Sequence, residues 1–500
     1  MLKRMRSFLV LVMLFIAVTM SAQVTTATMS GKVTAQDEPI IGATVVAVHE
    51  PSGTRYGTVT NVSGQFNLQG MRTGGPYKVE ISYVGYQTAI YKGINLLLGE
   101  NYVLNVSLKE SSELLDEVVV TASKESNMKS DRAGAIMNAN RDMINSTPTI
   151  SRSISDIMRL SPQGADVGNG FAVGGGNYRQ SFVTVDGAAF NNTFGLGGNL
   201  PANGSPISLD ALEQVTVAVT PFDVRQSGFT GGAINAVTRS GDNQFRGTAY
   251  MYFNNENLKG SKVDDYELLR SKAQYYTYGA SFGGPIIKDK LFFFVNGEYE
   301  DNVTAGSSYR PRTALGESYS GGNVHRPLQS DMDDIRSFLL KKYDFDPGKY
   351  NGYSTDTPAY RIMARVDWNA NQDNKVSFRF TRTHTKDSNF PTSSTNPLYS
   401  SDLYPGGKSN EVIDGKPVGD IAKGQGRTSK YALSFSNSNY YQVRDFTSVA
   451  GEWNSRMAQG AMNNMLRFAY SYQDEPRSFD GPLFPTVDIL QDGAVYANFG

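Results

Sequence analysis

The chain has 500 residues, which is long enough for more than one domain. Its 47 basic and 48 acidic residues leave a net charge of −1, so no overall field points to nucleic acid. Cysteine is absent, which excludes disulfides, cysteine-ligated zinc, thiol catalysis and a lipidated cysteine, and the three histidines, His49, His325 and His384, lie far apart with no HExxH among them.

The first residues are MLKRMRSFLVLVMLFIAVTMSAQ. Lys3, Arg4 and Arg6 precede an apolar run over 8–20, and the small residues Ser21 and Ala22 follow. This order predicts a secretory signal peptide over 1–22, cleaved after Ala22, so the mature chain works outside the cytoplasm. No later stretch has the ~18 consecutive apolar residues of a transmembrane helix. A transmembrane barrel stays open, because it buries only alternate residues and keeps a low average hydropathy.

Residues 23–108 hold short β segments divided by Gly, Pro or Asn: SGKVTA, GATVVAVHE, GTVTNVSGQFNLQG, YKVEISYVGY and NYVLNVSLK. Tyr77, Val79 and Ile81 alternate with Lys78, Glu80 and Ser82. Strands at this spacing predict a small β-sandwich, with Val33, Val45, Val48, Phe66, Leu68, Val79, Ile81, Val103 and Val106 as its core.

The stretch LDEVVVTAS (115–123) comes next, inside a linker over 109–123. Its valines favour extended structure, yet KESSE before it and KESNMKSDR after it are charged and polar, and nothing adjacent offers a hairpin partner. It is either the last strand of the preceding domain or a strand meant for another protein.

Residues 124–240 are Gly- and Asn-rich. SISDIMRLSP has helical spacing at Ile154, Ile157, Met158 and Leu160 and ends at Pro162. FVTVDGAAF is a strand running into Asp-Gly, and LDALEQVTVAVTPFDVRQ begins as a helical turn and becomes a strand. The glycines Gly174, Gly175, Gly176, Gly195, Gly197 and Gly198 permit tight loops, but no strand–GxGxxG–helix order surrounds them, so a dinucleotide loop fails.

From 241 to 500 the pattern is period two with aromatics. Ile362, Ala364, Val366 and Trp368 alternate with Arg361, Met363, Arg365 and Asp367. After the turn NQDN, Val376, Phe378 and Phe380 alternate with Ser377, Arg379 and Thr381. Leu291, Phe293, Val295 and Tyr299 alternate with Phe292, Phe294, Asn296 and Glu298, and Leu466, Phe468, Tyr470 and Tyr472 with Arg467, Ala469, Ser471 and Gln473. Strands of ~10 residues with one greasy face, joined by turns alternately short and long, are the signature of an outer-membrane barrel. A large soluble β-sandwich also explains the alternation, but not the signal peptide together with aromatic-ended hairpins and long polar loops. Ile362, Val366, Trp368, Phe378 and Phe380 are expected to face lipid, and Arg361, Arg365 and Arg379 the lumen. Within a long loop, Asp331 is expected to cap an amphipathic helix carrying Ile335, Phe338 and Leu339. Asp331, Asp333 and Asp334 lack an EF-hand order, and charge at a helix start explains them better than calcium.

These segments, in this order, resemble a TonB-dependent outer-membrane receptor of the Bacteroidetes type, in its Oar-like branch. The resemblance rests on DEVVVTA (116–122), FVTVDGAAFNNTFGLGG (182–198), SLDALEQVTVAVTPFDVRQSGFTGGAINAVTRSG (208–241) and FLLKKYDFDPGKYN (338–351). The order GKVTAQDEPIIGATV, TNVSGQFNLQG and YKVEISYVGY resembles the carboxypeptidase regulatory-like, transthyretin-like domain, a non-catalytic module sometimes grouped with carbohydrate-binding-like folds. The resemblance implies a mainly β chain: signal peptide, small Ig/transthyretin-like β-sandwich, α+β plug and the N-terminal part of a transmembrane antiparallel β-barrel.

It further implies that Asp116, Glu117, Val118, Val119, Val120, Thr121 and Ala122 form the TonB box, extended, loosely held and facing the periplasm. There TonB, with its inner-membrane energising complex, would add the segment to its own sheet. Tyr178, Arg179, Phe190, Asn191, Asn192 and Phe194 are the candidates for the substrate-facing apices of the plug. The implied partners are TonB, outer-membrane lipid and an extracellular solute, peptide or glycan; no cofactor and no nucleic acid are called for. The implied location is the outer membrane, with the N-terminal domain and the TonB box in the periplasm. An outer-membrane adhesin or structural barrel leaves DEVVVTA unexplained, and a metallocarboxypeptidase lacks a His/Glu metal cluster. Family barrels have 22 strands and the residues after the plug supply about ten, so the sequence reads as the N-terminal part of a longer protein or as a truncated product.

Overall fold

The computed structural model describes residues 24–500 apart from 111–117, 122–135, 150–151, 168–169, 193–197, 199, 203–204, 220–229, 259, 261, 265, 268–271, 320–322, 392–411, 414–415, 418–425, 458–461 and 492–493. The predicted signal peptide lies outside the described residues.

The N-terminal domain is a sandwich of two sheets. Strands β1 (Ala27–Ala35), β2 (Thr44–His49), β3 (Thr54–Val59), β4 (Gln65–Met71), β5 (Gly74–Ser82), β6 (Ala89–Leu96), β7 (Asn101–Val103) and β8 (Val106–Ser107) form its body. In one sheet β1 pairs antiparallel with β4 and parallel with β7 and β8. In the other the order is β6, β5, β2, β3, all antiparallel. The inward faces meet in a core of Met29, Val33, Val45, Phe66, Leu68, Met71, Tyr77, Val79, Ile81, Ile94, Leu96 and Val106. Val48 is half-buried. Val103 is 47% exposed and is no core residue. Tyr102 is the inward residue of that short strand, and a pleat sends its neighbours outward.

Beneath this core His49 is enclosed. Its Nδ1 lies 2.7 Å from Ser52 Oγ, which sits 2.7 Å from Thr54 Oγ1, and its ring meets Tyr77 edge-on at 5.0 Å. Burial, helped by the nearby Arg72 guanidinium, pushes the imidazole down to about 2. An unfolded imidazole takes up its proton near 6.5. Below that pH the unfolded chain therefore binds the extra proton, and stability that is complete above pH 6.5 falls as the pH drops. The domain is expected to lose ~2 kcal/mol between pH 7 and pH 5 through this residue. Hydrogen exchange of β5 and β6 amides, corrected for intrinsic rates, reads the loss, and His49→Gln flattens it. Equal protection of the unaltered protein at both pH values contradicts it.

A ninth strand, β9 (Val118–Thr121), joins the second sheet outside β6. The pairing is parallel, with Val118 beside Ala89, Val119 beside Ile90, Val120 beside Tyr91 and Thr121 beside Lys92. The segment expected to be loosely held is hydrogen-bonded along one edge. The reason is that β6 ends the sheet and presents unpaired N–H and C=O groups, a template for any extended chain within reach.

The plug is a five-stranded sheet. Strand β10 (Ile136–Ala139) leads into α1 (Arg141–Ser146) and α2 (Ile154–Met158). Strands β11 (Phe182–Val185), β12 (Ala188–Ala189), β13 (Leu212–Ala218) and β14 (Ala233–Thr238) complete it in the order β10, β13, β14, β11, β12. Helix α2 opens with a capping box in which Ser153 and Asp156 bond each other's backbone N–H. Strand β14 is buried along its whole length, as expected for a strand covered on both faces.

Seven long strands follow: β15 (Arg246–Asn255), β16 (Gln274–Ile287), β17 (Leu291–Ala305), β18 (Ala359–Asn369), β19 (Asn374–Asn389), β20 (Tyr440–Met457) and β21 (Met462–Asp474). Each pairs antiparallel with the next. Side chains alternate as a barrel wall requires. Val295, Tyr299, Ile362, Val366, Trp368, Phe378, Leu466, Phe468, Tyr470 and Tyr472 are exposed on the outer face, while Phe292, Phe294, Asn296, Glu298, Arg361, Arg379 and Thr381 are buried on the inner one. Phe380, expected outside with them, is half-buried.

The short turns at 288–290 and 370–373 lie beside the N-terminal domain. Asn243 N–H donates to Pro51 O at 2.9 Å and Asn369 Nδ2 to Thr54 Oγ1 at 2.9 Å. The long excursions lie at the opposite end and contain α3 (Gln329–Tyr343). Its N-cap is Leu328, with no side-chain bond; Asp331 stands in the first turn and accepts from Tyr496 Oη at 2.5 Å instead of capping. Met332, Ile335 and Leu339 pack inward, whereas Phe338 falls off that face and is exposed.

Candidate functional site

The plug is seated in the barrel on its own hairpin tip. Asp186 and Gly187 join β11 to β12, both with positive φ (47° and 76°), the geometry of a two-residue hairpin turn that Asp-Gly favours. The turn aims the Asp186 carboxylate at the wall. Thr238 N–H and Oγ1 donate to it at 2.9 and 2.6 Å, which ties it to β14. From the barrel, Arg365 Nη1 approaches to 3.4 Å and Arg379 Nε to 3.3 Å, the latter without hydrogen-bond alignment. Arg365 also holds Asp367 through two nitrogens at 2.9–3.1 Å and donates to Thr238 O at 2.9 Å. Nearer the edge beside the N-terminal domain, Arg467 and Glu452 pair at 2.8 Å and both bond Thr25, the start of that domain.

A second tier lies toward the long loops. Arg361 Nη1 meets Glu298 at 2.9 Å and also Glu300, and its Nε donates to Ser205 O at 2.6 Å. Glu298 in turn accepts from Ser208 at 2.9 Å and Tyr250 at 2.6 Å. Thr383 Oγ1 donates to Pro206 O at 2.7 Å. In both tiers barrel charges are matched to plug polar groups, and an apolar patch of Phe190, Phe294, Met363, Phe446 and Ala450 fills the space between them.

The candidate apices divide. Tyr178 and Arg179 form a single turn capped by Asn177, with Arg179 exposed and its Nε donating to Tyr178 Oη at 3.0 Å. Phe190 is fully buried, edge-on to Phe446 at 4.7 Å and beneath Arg379; it is a packing residue, because the residue after β12 turns inward. Asn191 spends its side chain on the backbone, accepting from Val183 N–H at 2.7 Å and donating to Ser181 O at 2.9 Å. Asn192 is half-buried. Phe194 lies outside the described residues, as do Asp116, Glu117 and Ala122 of the predicted TonB box; Val118–Thr121 are β9.

One contact had no sequence signal. Gln214 of β13, 3% exposed, accepts from Leu98 N–H at 2.8 Å and donates to Leu96 O at 3.1 Å, and Asn138 donates to Glu100 at 2.5 Å. The plug sheet is thereby clamped to the chain leaving β6. A cavity of about 90 Å³ separates N-terminal domain, plug and barrel, lined by Thr26, Tyr56, Arg72, Asp186, Arg365 and Glu452 among others.

The carboxypeptidase regulatory-like domain family matches residues 28–109, and the outer membrane beta barrel domain family matches residues 237–418. The chain is 28% identical over 254 residues to the TonB-dependent transporter Oar of Myxococcus xanthus, covering 49% of this chain and 22% of that protein. It is 23% identical over 484 residues to the TonB-dependent receptor SusC of Bacteroides thetaiotaomicron, covering 89% of this chain and 46% of that protein. The chain thus spans less than half the length of these relatives. Among solved structures, the outer-membrane transporter YddB of Escherichia coli matches with a TM-score of 0.43 at 11% identity, covering 68% of this chain and 38% of that one. The barrel domain and the two relatives place this chain in the outer membrane, and those relatives are a transporter and a receptor.

Proposed function

We propose that this chain, an outer-membrane receptor of the TonB-dependent, Oar-like type with an N-terminal carboxypeptidase regulatory-like domain, imports a bulky extracellular solute, and that displacement of its plug is driven through the segment Asp116–Ala122. The observation that carries this reading is β9. It is a valine-rich strand between sandwich and plug, paired on one edge and without a strand on the other among the described residues. Such an edge accepts a partner's strand through backbone hydrogen bonds. The outer membrane has no nucleotide pool of its own, so work arrives from the inner-membrane gradient, ~2.3 kcal/mol per charge per 100 mV.

The polar seat around Asp186 supports the same reading. Ion pairs that hold in a dry interface let go once water enters, so the seat is firm at rest and separable under load. Tyr178 and Arg179 remain the candidates for solute contact. Domain limits of 23–108 for the sandwich, 109–123 for the linker, 124–240 for the plug and 241–500 for the barrel go with this proposal.

The test is energy dependence. Cells carrying the protein are expected to accumulate label from pooled radiolabelled peptides or oligosaccharides, and to stop when a protonophore dissipates the gradient, while label bound at the surface persists. Surface binding without any gradient-dependent accumulation would favour an adhesin.

A further inference from the structure

The N-terminal domain has no role in the scheme above beyond preceding the box. Two observations give it one. The first is the parallel pairing of β9 with β6, which leaves the outer edge of β9 without a strand among the described residues. Successive residues of a strand direct their backbone groups alternately to either side. Holding one edge on β6 therefore leaves the other set of N–H and C=O groups available. The second is the clamp at the far end of β6. Its last residue, Leu96, accepts from Gln214 of the plug sheet, and Leu98 donates back to the same buried amide. The strand that holds the box is thus fastened directly to the plug.

We propose that the sandwich presents the box instead of releasing it: β6 keeps one edge of β9 while the sheet edge of TonB adds to the other. The box then enters the complex already extended, and the pull reaches the plug through β6 and Gln214 as well as along the covalent chain. The inference rests on the reading of 116–122 as the TonB box.

A cysteine pair tests it, and the absence of native cysteine makes the experiment clean. Thr121 and Lys92 are register partners, and Lys92 is exposed. Neighbouring strands lie ~4.8 Å apart, within the Cα separation that a disulfide spans. In the outer membrane, Thr121→Cys with Lys92→Cys is expected to cross-link on mild oxidation, and Thr121→Cys with Lys32→Cys, on the opposite sheet, is not. The oxidised pair is expected to bind the periplasmic domain of TonB within about threefold of its reduced form. No cross-link above the control overturns the proposal, because the box then does not rest on β6. A cross-linked protein whose TonB affinity falls more than tenfold and returns with reductant also overturns it, because the box must then leave β6 to engage. If the reduced protein fails to bind TonB although the cross-link forms, the box assignment itself falls, and the inference with it.

Discussion

Val119→Pro is expected to abolish energised uptake while surface binding of the solute and assembly of the barrel stay intact. Val119 stands at the middle of β9, opposite Ile90. Proline removes its N–H and resists strand pairing on either side. The N–H serves one edge of β9, so either β6 or the incoming strand would lose a central hydrogen bond, and the ring would stand where a flat edge is needed. The loss should be complete in effect, since a grip of a few residues has no reserve. The change lies in β9 and not in the strands that form the plug seat or barrel wall, so surface binding gives the control. Uptake at the unaltered level would remove β9 from the mechanism.

The second large effect concerns the seat. Asp186→Asn keeps a residue that tolerates the positive φ of the turn and takes away the charge that faces Arg365 and Arg379. Arg365 retains Asp367. Arg379 is left with Thr381 and Ser448 hydroxyls and no carboxylate. Removing one partner of a buried pair costs ~3 kcal/mol or more, about a hundredfold in the balance between seated and unseated plug. The expected result is raised single-channel conductance in planar bilayers and sensitivity of cells to antibiotics too large for ordinary porins, both without TonB. Arg379→Gln together with Asp186→Asn should recover part of the loss, because the guanidinium left without a carboxylate is then removed, while Arg365 still holds Asp367. Conductance of the double variant at or above that of the single one, or no leak in either, would show that the seat lies elsewhere.

Much of this architecture is legible in the sequence because it rests on period two. In the barrel strands a greasy outer face and a polar inner face are written residue by residue, and Ile362 against Arg361 or Phe378 against Arg379 fall where alternation puts them. The Asp-Gly pair announces its turn. Where the pattern is short, it misleads: Val103 belongs to a three-residue strand in which Tyr102 takes the inner side. Phe190 shows a different limit. Placed beside Asn-rich loop sequence it resembles an exposed apex, but its partner Phe446 lies in a barrel strand that no local pattern connects to it. The clamp by Gln214 and the meeting of Asp186 with Arg379 are of the same kind. They join segments far apart in the chain, and single residues of polar type carry no mark of the partner they will find. The parallel placement of β9 on β6 was open to the sequence only as the plainer of two alternatives, since parallel partners need not be neighbours along the chain.

The most direct measurement is the affinity of the periplasmic domain of TonB for the purified protein in detergent, with and without residues 116–122. Strand capture of this segment predicts saturable binding to the intact protein and its loss, by a hundredfold or more, on deletion. Equal affinity after the deletion would contradict the account, because TonB would then be gripping the protein somewhere other than the strand that lies on β6.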